Sequence, residues 1–421
     1  MSSVDTTYYP TLRSIREASE TLKGISVVTP LMKNIRYSKK FDAQVYFKRE
    51  DLQKVRSYKI RGAFNKISSL SRDERSKGIV CASAGNHAQG VAFACAELNI
   101  YGNIYMPAPT PKQKIEQVKM FGGDFIDIIL TGDTFDDAYD AAKKDSDSTN
   151  KAFIHPFDDP KIIEGQATVG LEIIEEFKGH IDYVFVAIGG GGLSSGLSSV
   201  FKVLSPKTKI IGVEPLGAPA MKTAVDNKEI QTLDSIDKFI DGASVKRIGN
   251  LNYEICKTLL QDIVLVHEGK VCQTILDLYS KEAIVAEPAG ALSIAALDDY
   301  AEVIKGKNAV CIVSGSNNDI SRMAEIKERA MLYNKLKHYF IVKFPQRAGA
   351  LKQFVAEILG PTDDITHFQY TKRTSKETGP AVVGIEIENP QHLEPLIKRM
   401  KDHHFFGEYL NDKPNLFEFL T

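Results

Sequence analysis

The chain of 421 residues contains no tryptophan, only five cysteines and no surplus of charge of either sign. Its 53 basic and 54 acidic side chains give a formal net charge of -1, so it offers no excess affinity for a phosphate backbone. Its longest dense apolar run, Tyr183–Ile188, is far too short to cross a bilayer. We therefore expect neither a nucleic-acid-binding protein nor a membrane protein.

The few cysteines argue against a disulfide framework. They are odd in number, lie far apart and mostly among apolar residues, and form no Cys-x-x-Cys pair. Reduced, buried thiols in a cytoplasmic protein fit this pattern better than disulfides or a zinc site. The five are Cys81, Cys95, Cys256, Cys272 and Cys311.

Short apolar runs rich in β-branched residues alternate with helical patterns over about the first 320 residues. This alternation predicts an α/β fold with parallel sheets, in a chain long enough for two or three domains. The predicted strands are Gln44–Phe47, Gly78–Ala82, Asn103–Met106, Phe125–Leu130, Tyr183–Ala187, Ile210–Val213, Ile263–Val266 and Ala309–Val313. The predicted helices include Gly62–Ser69, Ala88–Leu98, Pro111–Met120, Lys161–Phe177 and Gly290–Leu297.

The pattern changes near residue 325. A charged helix, Glu325–Lys337, is followed by strand, helix, two strands, helix and strand, which is the ferredoxin-like α+β plan. The predicted strands are His338–Phe344, Ile365–Thr371, Ala381–Glu388 and Leu416–Leu420, the helices are Ala350–Leu359 and His392–His403, and Thr374–Gly379 is a hairpin loop.

Segment Ser57–Ala63 places Lys59 between a polar loop and an apolar helix start. A lysine there could form a Schiff base if burial or neighbouring cations lower its pKa. The alternative is a solvated surface lysine, which spacing alone favours because most lysines are exposed.

A second segment, Ser83–Gly90, directly follows a predicted strand, where ligands bind in open α/β sheets. Its small residues let backbone N–H groups approach an anion. Asn86 offers a donor and an acceptor to a ring substituent, or alternatively caps the next helix. We interpret His87 as a packing or hydrogen-bonding residue rather than a catalytic base.

Four consecutive glycines, Gly189–Gly192, lie between a predicted strand and a helix. Their backbone N–H groups and the helix dipole could hold one phosphate, and the alternative is a merely flexible loop. Glu214 stands where a ribose-binding acid would sit, but the glycines do not fit G-x-G-x-x-G, and the loop has no lysine. We therefore set aside dinucleotide and P-loop sites.

Two weaker segments, Ser314–Asn318 after a strand and Glu287–Gly290 before a helix, are also polar and rich in small residues. As a set, these strand-end loops predict one polar cleft. In this order they resemble the fold-type II pyridoxal-phosphate enzymes and, among them, the threonine dehydratases, over roughly Thr29–Ala324. From about His338 the chain is similar to the single ACT-like regulatory domain of biosynthetic threonine dehydratases.

The resemblance implies a domain plan. Residues 1–324 would form a catalytic domain of two lobes with parallel open sheets, the smaller lobe at about 55–155. Residues 325–337 would be a linker helix and 338–421 the regulatory domain, for which a structural or oligomerising appendage is the alternative.

The resemblance also implies residue roles. Lys59 would carry pyridoxal 5′-phosphate covalently and act in catalysis with Ser83. Asn86 would bind the ring 3′-oxygen, and Ser314 would face the pyridine nitrogen. The phosphate would be held by Gly189, Gly190, Gly191, Gly192 and Leu193. The substrate would be bound by Ser83, Gly85, Asn86 and His87.

The implied reaction is dehydration and deamination of threonine to 2-oxobutanoate and ammonia, the first committed step of isoleucine biosynthesis, with serine as a further substrate. Isoleucine is the expected inhibitor, valine a candidate activator, and a homotetramer the expected assembly. Ala84 stands where related serine racemases have a serine, which weighs against racemisation. In the divalent-metal site of those racemases, Glu214 matches one ligand, but a second carboxylate is missing here, with Ala220 near its position. We therefore expect no required metal.

Several alternatives stay open. The chain could be a degradative serine/threonine dehydratase without isoleucine control, which effector response would separate. A β-replacement synthase fits the lysine segment less well. A different class, an amino-acid sensor with an inactive core, is disfavoured by the intact Lys59, Asn86 and glycine loop.

Overall fold

The computed structural model describes residues 8–370 and 378–413. The chain divides into two compact units, Met1–Asp319 and Ile320–Thr421. The smaller sheet of the first unit spans residues 79–153, inside the predicted smaller lobe. The domain boundaries inferred from the resemblance stay predictions.

The first unit alternates strands and helices along the chain. Its strands are β1 Leu31–Lys33, β2 Gln44–Arg49, β3 Ile79–Ala82, β4 Gly102–Met106, β5 Ile126–Leu130, β6 Ala152–Phe153, β7 Tyr183–Ala187, β8 Lys209–Pro215, β9 Asp262–Val266 and β10 Asn308–Val313. Its helices are α1 Leu12–Thr21, α2 Ile35–Phe41, α3 Lys59–Ser68, α4 Arg72–Lys77, α5 Asn86–Leu98, α6 Lys112–Gly122, α7 Phe135–Thr149, α8 Pro160–Glu176, α9 Gly192–Leu204, α10 Ala220–Asn227, α11 Asn250–Leu259, α12 Glu268–Glu282, α13 Pro288–Ala295 and α14 Ala301–Ile304. Short 3₁₀ helices lie at Glu50–Leu52, Gly123–Phe125 and Ala296–Tyr300.

These strands form two sheets. The larger has the order β1-β2-β10-β7-β8-β9, in which only the β1–β2 pairing is antiparallel. The smaller is parallel, with the order β5-β4-β3-β6. Central strands are apolar on both faces because helices cover both, as Val184, Phe185 and Val186 show by their complete burial. The predicted α/β class is confirmed.

Parallel strands bring the loops at their carboxyl ends to one edge of the sheet. β7 and β10 are neighbours, so the glycine loop after β7 lies beside the Ser314 loop after β10. Helix α3, which begins at Lys59, packs closely on α8. A Cβ atom on Gly165 of α8 would lie 2.6 Å from the carbonyl oxygen of Arg61, so this approach requires glycine.

The second unit is a four-stranded antiparallel sheet with helices against it. Its elements are α15 Met323–Tyr333, β11 Lys337–Pro345, α16 Ala350–Gln353, β12 Asp364–Tyr370, β13 Thr378–Glu386, α17 Leu393–Asp402 and β14 Phe406–Tyr409. Short 3₁₀ helices lie at Ile320–Arg322 and Pro390–His392, and a π turn at Phe354–Ile358. The strand order β12-β13-β11-β14 is that of a ferredoxin-like domain, as predicted.

Three details of the second unit differ from the sequence prediction. The predicted helix 325–337 ends at Tyr333, because Lys337 already pairs in β11. The helix predicted for 350–359 is one α turn continued by a π turn. The predicted hairpin loop is wrong at its end, where Thr378 and Gly379 pair with β11, and its earlier part lies outside the described residues. The strand predicted at Leu416–Leu420 also lies outside them, and β14 is the fourth described strand.

Over residues 8–370 and 378–413, no helix is both long and apolar enough to span a membrane.

Candidate active site

Lys59 is the first residue of α3 and lies beside the loop that follows β10. Ser57 forms a β-bridge with Gly315, and the Tyr58 N–H donates to the carbonyl of Ser314 at 3.2 Å. These two backbone links hold the start of α3 against the end of β10. The structure therefore places Lys59 next to Ser314, which is buried.

The amine of Lys59 is enclosed by protein, although the residue as a whole keeps some exposure. Its Nζ donates to the carbonyl of Pro156 at 2.8 Å. Burial lowers the pKa of this amine to about 8, against a smaller opposing effect of the Glu287 carboxylate. A neutral amine near physiological pH can act as a nucleophile or a base, unlike the solvated surface lysine that was the alternative.

Asn86 does not cap helix α5, so the capping alternative is wrong. The helix already begins at Asn86, and its N-cap residue is Gly85. The Asn86 side chain instead donates from Nδ2 to Oε1 of Glu287 at 2.6 Å, and its Oδ1 accepts from Nδ2 of Asn317 at 2.7 Å. The amide thus lies in the cleft between the two sheets' loops.

Ser83 and His87 flank this position. The Ser83 Oγ accepts from the N–H of Gly85 at 3.2 Å. His87 is buried, and its Nε2 lies 2.9 Å from the carbonyl oxygen of Ile154. Burial and the nearby Lys59 lower the pKa of His87 to about 3, so the ring is neutral, in keeping with a hydrogen-bonding residue. Their contacts with substrate stay predictions.

The glycine loop has a shape that larger residues could not adopt. Gly191 has a φ of +96°, and a Cβ on Gly190 would lie 2.2 Å from the ring of Phe157. Helix α9 begins at Gly192, and the first N–H groups of a helix have no acceptor within it. The carbonyl of Gly190 accepts from Asn252 Nδ2 at 2.9 Å, which fixes the loop. This cradle fits a phosphate group.

Sequence reasoning gave no role to several residues of this region. Glu287 and Asn317 lay within segments that had been singled out, so their polar loops were a usable signal. Pro156 and Phe157 carried no such signal, yet they link Lys59 to the glycine loop.

Glu214 is buried and accepts from the N–H groups of Met221 at 2.7 Å and Lys222 at 2.8 Å, at the start of α10. Burial raises its pKa to about 8. In the described ranges no three histidine, cysteine or acidic residues cluster as metal ligands would. Whether the reaction requires a metal stays a prediction.

Two family descriptions match the chain. Residues 24–315 match a pyridoxal-phosphate dependent enzyme, and residues 328–420 match the C-terminal regulatory domain of threonine dehydratase. The chain therefore belongs to the pyridoxal-phosphate dependent enzymes, and pyridoxal phosphate is its cofactor. The enclosed lysine amine and the glycine cradle fit that group.

Within that class, the curated relatives are more specific. The biosynthetic L-threonine dehydratase IlvA of Halalkalibacterium halodurans is 53% identical, over 96% of this chain and 97% of the relative. The protein of the same name from Bacillus subtilis is 52% identical over 97% of each chain. The predicted family, the biosynthetic threonine dehydratases, is confirmed.

Solved structures agree with the fold. The processed form of threonine deaminase isoform 2 from Solanum lycopersicum superposes with a TM-score of 0.72 at 38% identity, covering 78% of this chain and 92% of that one. Maize serine racemase gives 0.71 at 30% identity, with 77% and 99% covered.

Proposed function

We propose that the protein dehydrates and deaminates L-threonine to 2-oxobutanoate and ammonia, the first committed step of isoleucine biosynthesis, under inhibition by isoleucine. The observation that carries the proposal is the enclosed amine of Lys59, with its pKa lowered to about 8, beside the glycine cradle. Relatives named biosynthetic threonine dehydratases, similar over nearly the whole chain, support the choice of substrate.

Lys59 has two tasks in this proposal. It would hold the cofactor covalently, and its amine, when free, would take the proton from the substrate α-carbon. When bound, pyridoxal phosphate stabilises the negative charge that develops at that carbon. The Lys59 amine can take this proton because its lowered pKa leaves much of it neutral near pH 8.

The other predicted residues hold the two reactants in place. The N–H groups of Gly189–Leu193 would bind the phosphate at the start of α9, and Asn86 would bind the ring 3′-oxygen. Ser83 and the backbone of Gly85–His87, at the start of the 13-residue helix α5, would orient the substrate carboxylate.

Ser314 favours elimination over competing reactions. A neutral hydroxyl can donate to the pyridine nitrogen but cannot stabilise its protonated form as a carboxylate would. The bound cofactor would then stabilise negative charge on the substrate less strongly, which would favour prompt loss of the β-hydroxyl as water over transamination. Ala84 offers no acid or base on the opposite face, which disfavours racemisation.

The test is 2-oxoacid production by purified, cofactor-loaded protein from threonine and from serine. We expect 2-oxobutanoate from threonine with the higher kcat/KM. Absence of any 2-oxoacid would leave the amino-acid sensor as the better reading. Activity that is indifferent to isoleucine would favour the degradative serine/threonine dehydratase.

We place the isoleucine site at the turn between β11 and α16. Gln346 donates from Nε2 to the Tyr370 hydroxyl at 2.9 Å, and Gly349 adopts a φ of +83° before the helix starts. The similarity of residues 328–420 to a regulatory domain supports an effector role. An effector acts by binding one global state of the protein better than another. We propose that the protein is a cytoplasmic homotetramer, whose subunit arrangement could supply these two states.

This part of the proposal has its own test in the full-length protein. Gly349→Val strains the left-handed turn and should raise the isoleucine concentration needed for half-inhibition, while kcat/KM without isoleucine stays the same. Unchanged inhibition would move the effector site elsewhere. Light scattering measures whether the assembly is a tetramer.

A further inference from the structure

Two polar residues beside Asn86 have no part in the function proposed so far. Glu287 is buried, with 6% of its surface exposed, and accepts from Nδ2 of Asn86 at 2.6 Å. Asn317 donates from Nδ2 to Oδ1 of Asn86 at 2.7 Å. Both come from loops far along the chain from Asn86, so the contact exists only in the folded protein.

The orientation of Asn317 is determined by its acceptors. Its Nδ2 donates both to Oδ1 of Asn86 and to the carbonyl of Val55, the latter at 3.0 Å, so both amide hydrogens are used. A reversed amide would set its oxygen against two other oxygens. Because an amide has one donor end and one acceptor end, this network assigns the orientation of Asn317.

The orientation of Asn86 follows from that of Asn317. Its Oδ1 is engaged by a donor and one Nδ2–H is engaged by the Glu287 carboxyl, so one Nδ2–H remains. Glu287 accepts from Asn86 in either of its protonation states, because even a neutral carboxyl keeps a carbonyl oxygen.

Glu287 is itself held in place. Its N–H donates to the carbonyl of Gly315 at 3.1 Å, and its carboxyl accepts from the backbone N–H of Asn317. A Cβ atom on Gly315 would lie 2.4 Å from Oε1 of Glu287, so the carboxyl occupies space that only glycine leaves. The three side chains therefore form one connected hydrogen-bond network, in which Glu287 is buried and Asn86 and Asn317 are partly buried.

We propose that Glu287 and Asn317 are positioning residues that lock the Asn86 amide, so that its remaining Nδ2–H faces the 3′-oxygen of the cofactor ring. The inference rests on the proposed function, in which Asn86 binds that oxygen. Without the lock the amide can rotate by half a turn and present its own oxygen to the ring oxygen. A donor would then become a repelling acceptor.

The experiment measures the Kd of the full-length, cofactor-free protein for pyridoxal phosphate and the visible absorbance maximum of the loaded protein. Asn317→Asp replaces the donor by an acceptor, and Glu287→Leu removes the acceptor. Each should weaken cofactor binding about 10-fold, the effect of losing one good hydrogen bond, and shift the maximum. Glu287→Gln keeps an acceptor oxygen and should restore binding to within about 3-fold of the native value.

The matched control is Ser316→Ala in the same loop. Its Oγ donates to the carbonyl of Asp51 and does not contact Asn86, so its cofactor affinity and spectrum should equal those of the native protein. If these substitutions only loosen the loop, Ser316→Ala should bind pyridoxal phosphate more weakly as well. That result would overturn the proposal that Glu287 and Asn317 fix the Asn86 amide. If Glu287→Leu fails to fold, Asn317→Asp decides alone.

Asn86→Ala separates the inference from the function on which it rests. If Asn86→Ala binds the cofactor as the native protein does, the assignment of Asn86 fails. If Asn86→Ala weakens binding but Asn317→Asp does not, the function stands and the lock is refuted. With a lock, Asn317→Asp added to Asn86→Ala should cost no further affinity, since the two effects share one contact.

Discussion

Lys59 and Arg61 stand two positions apart at the start of α3, and both cationic groups are enclosed by protein, yet their surroundings differ. The Lys59 amine donates to a backbone carbonyl, and burial lowers its pKa to about 8. Burial would also lower the pKa of Arg61, but Glu50 and Glu172 hold it above its usual value. The partners of a buried cation, more than its burial, decide whether it can react.

The partners of Arg61 join three elements. Its guanidinium contacts both carboxylate oxygens of Glu50 at 2.8 Å and those of Glu172 at 2.6 and 2.9 Å. Lys48, which is fully buried, donates to Glu172 at 2.6 Å. Bidentate contacts of this kind are the stronger class of charged hydrogen bond. They tie the end of β2 and the C-terminal half of α8 to the first turn of α3, which carries Lys59.

The largest difference between the two cations should appear in turnover. Lys59→Ala removes both the covalent attachment and the base, so 2-oxoacid production should fall about 10⁴-fold or more. The visible band of the lysine-bound cofactor should disappear, while the urea midpoint of unfolding changes little. Full activity in this variant would refute the central role of Lys59.

Arg61→Met should act on stability instead. It leaves the fully buried Glu50 without its main counter-charge, which we expect to lower the free energy of unfolding by about 3–5 kcal/mol. Urea denaturation measures this, and the paired variant Arg61→Met with Glu50→Gln should recover part of the loss. A native-like denaturation curve for Arg61→Met would contradict a structural role.

The pH dependence of cofactor capture tests the lowered pKa of Lys59. Only the neutral amine can attack, and with a pKa near 8 its fraction rises about 50-fold from pH 6 to pH 8 and at most about doubles above that. Stopped-flow absorbance after mixing cofactor-free protein with pyridoxal phosphate gives this profile. A rate that still climbs above pH 10 would mean that the amine behaves as an ordinary lysine.

Of these four predictions, that for Lys48→Met has the smallest expected effect. Its Nζ also donates to the carbonyl of Thr29, so its loss removes two hydrogen bonds, but Glu172 keeps Arg61 as a partner. We expect a loss of about 1.5–2 kcal/mol in the free energy of unfolding, with turnover unchanged. A loss of stability as large as that of Arg61→Met would mean that Lys48 and Arg61 contribute equally to balancing the charge of the buried carboxylates.

Much of the fold could be predicted because burial on both faces makes the strands short, continuous apolar runs. All eight strands predicted for the first unit are present, with ends that coincide or differ by at most two residues. The short strands β1 and β6 were missed because three and two residues carry too little pattern. β14 was missed because Phe406–Tyr409 contains a glycine and a glutamate instead of an apolar run.

Three loops of the candidate site, those of Asn86, the four glycines and Ser314, could be predicted because each directly follows a strand, but their contacts could not. Glu50 and Glu172 look like ordinary surface acids in the sequence, and only the fold brings them to Arg61. The same holds for Pro156, whose carbonyl has no sequence signature. The capping interpretation of Asn86 was wrong because the helix starts earlier than its apolar pattern does.

The neighbours Pro156 and Phe157 have a consequence for cofactor choice. The first holds the lysine amine through its carbonyl, and the second packs its ring against Gly190 of the phosphate cradle. The Pro156–Phe157 dipeptide therefore lies between the proposed attachment point at Lys59 and the proposed phosphate site at the glycine loop, and contacts both. We expect an analogue of pyridoxal phosphate with one extra methylene between ring and phosphate to reach only one of these two sites at a time.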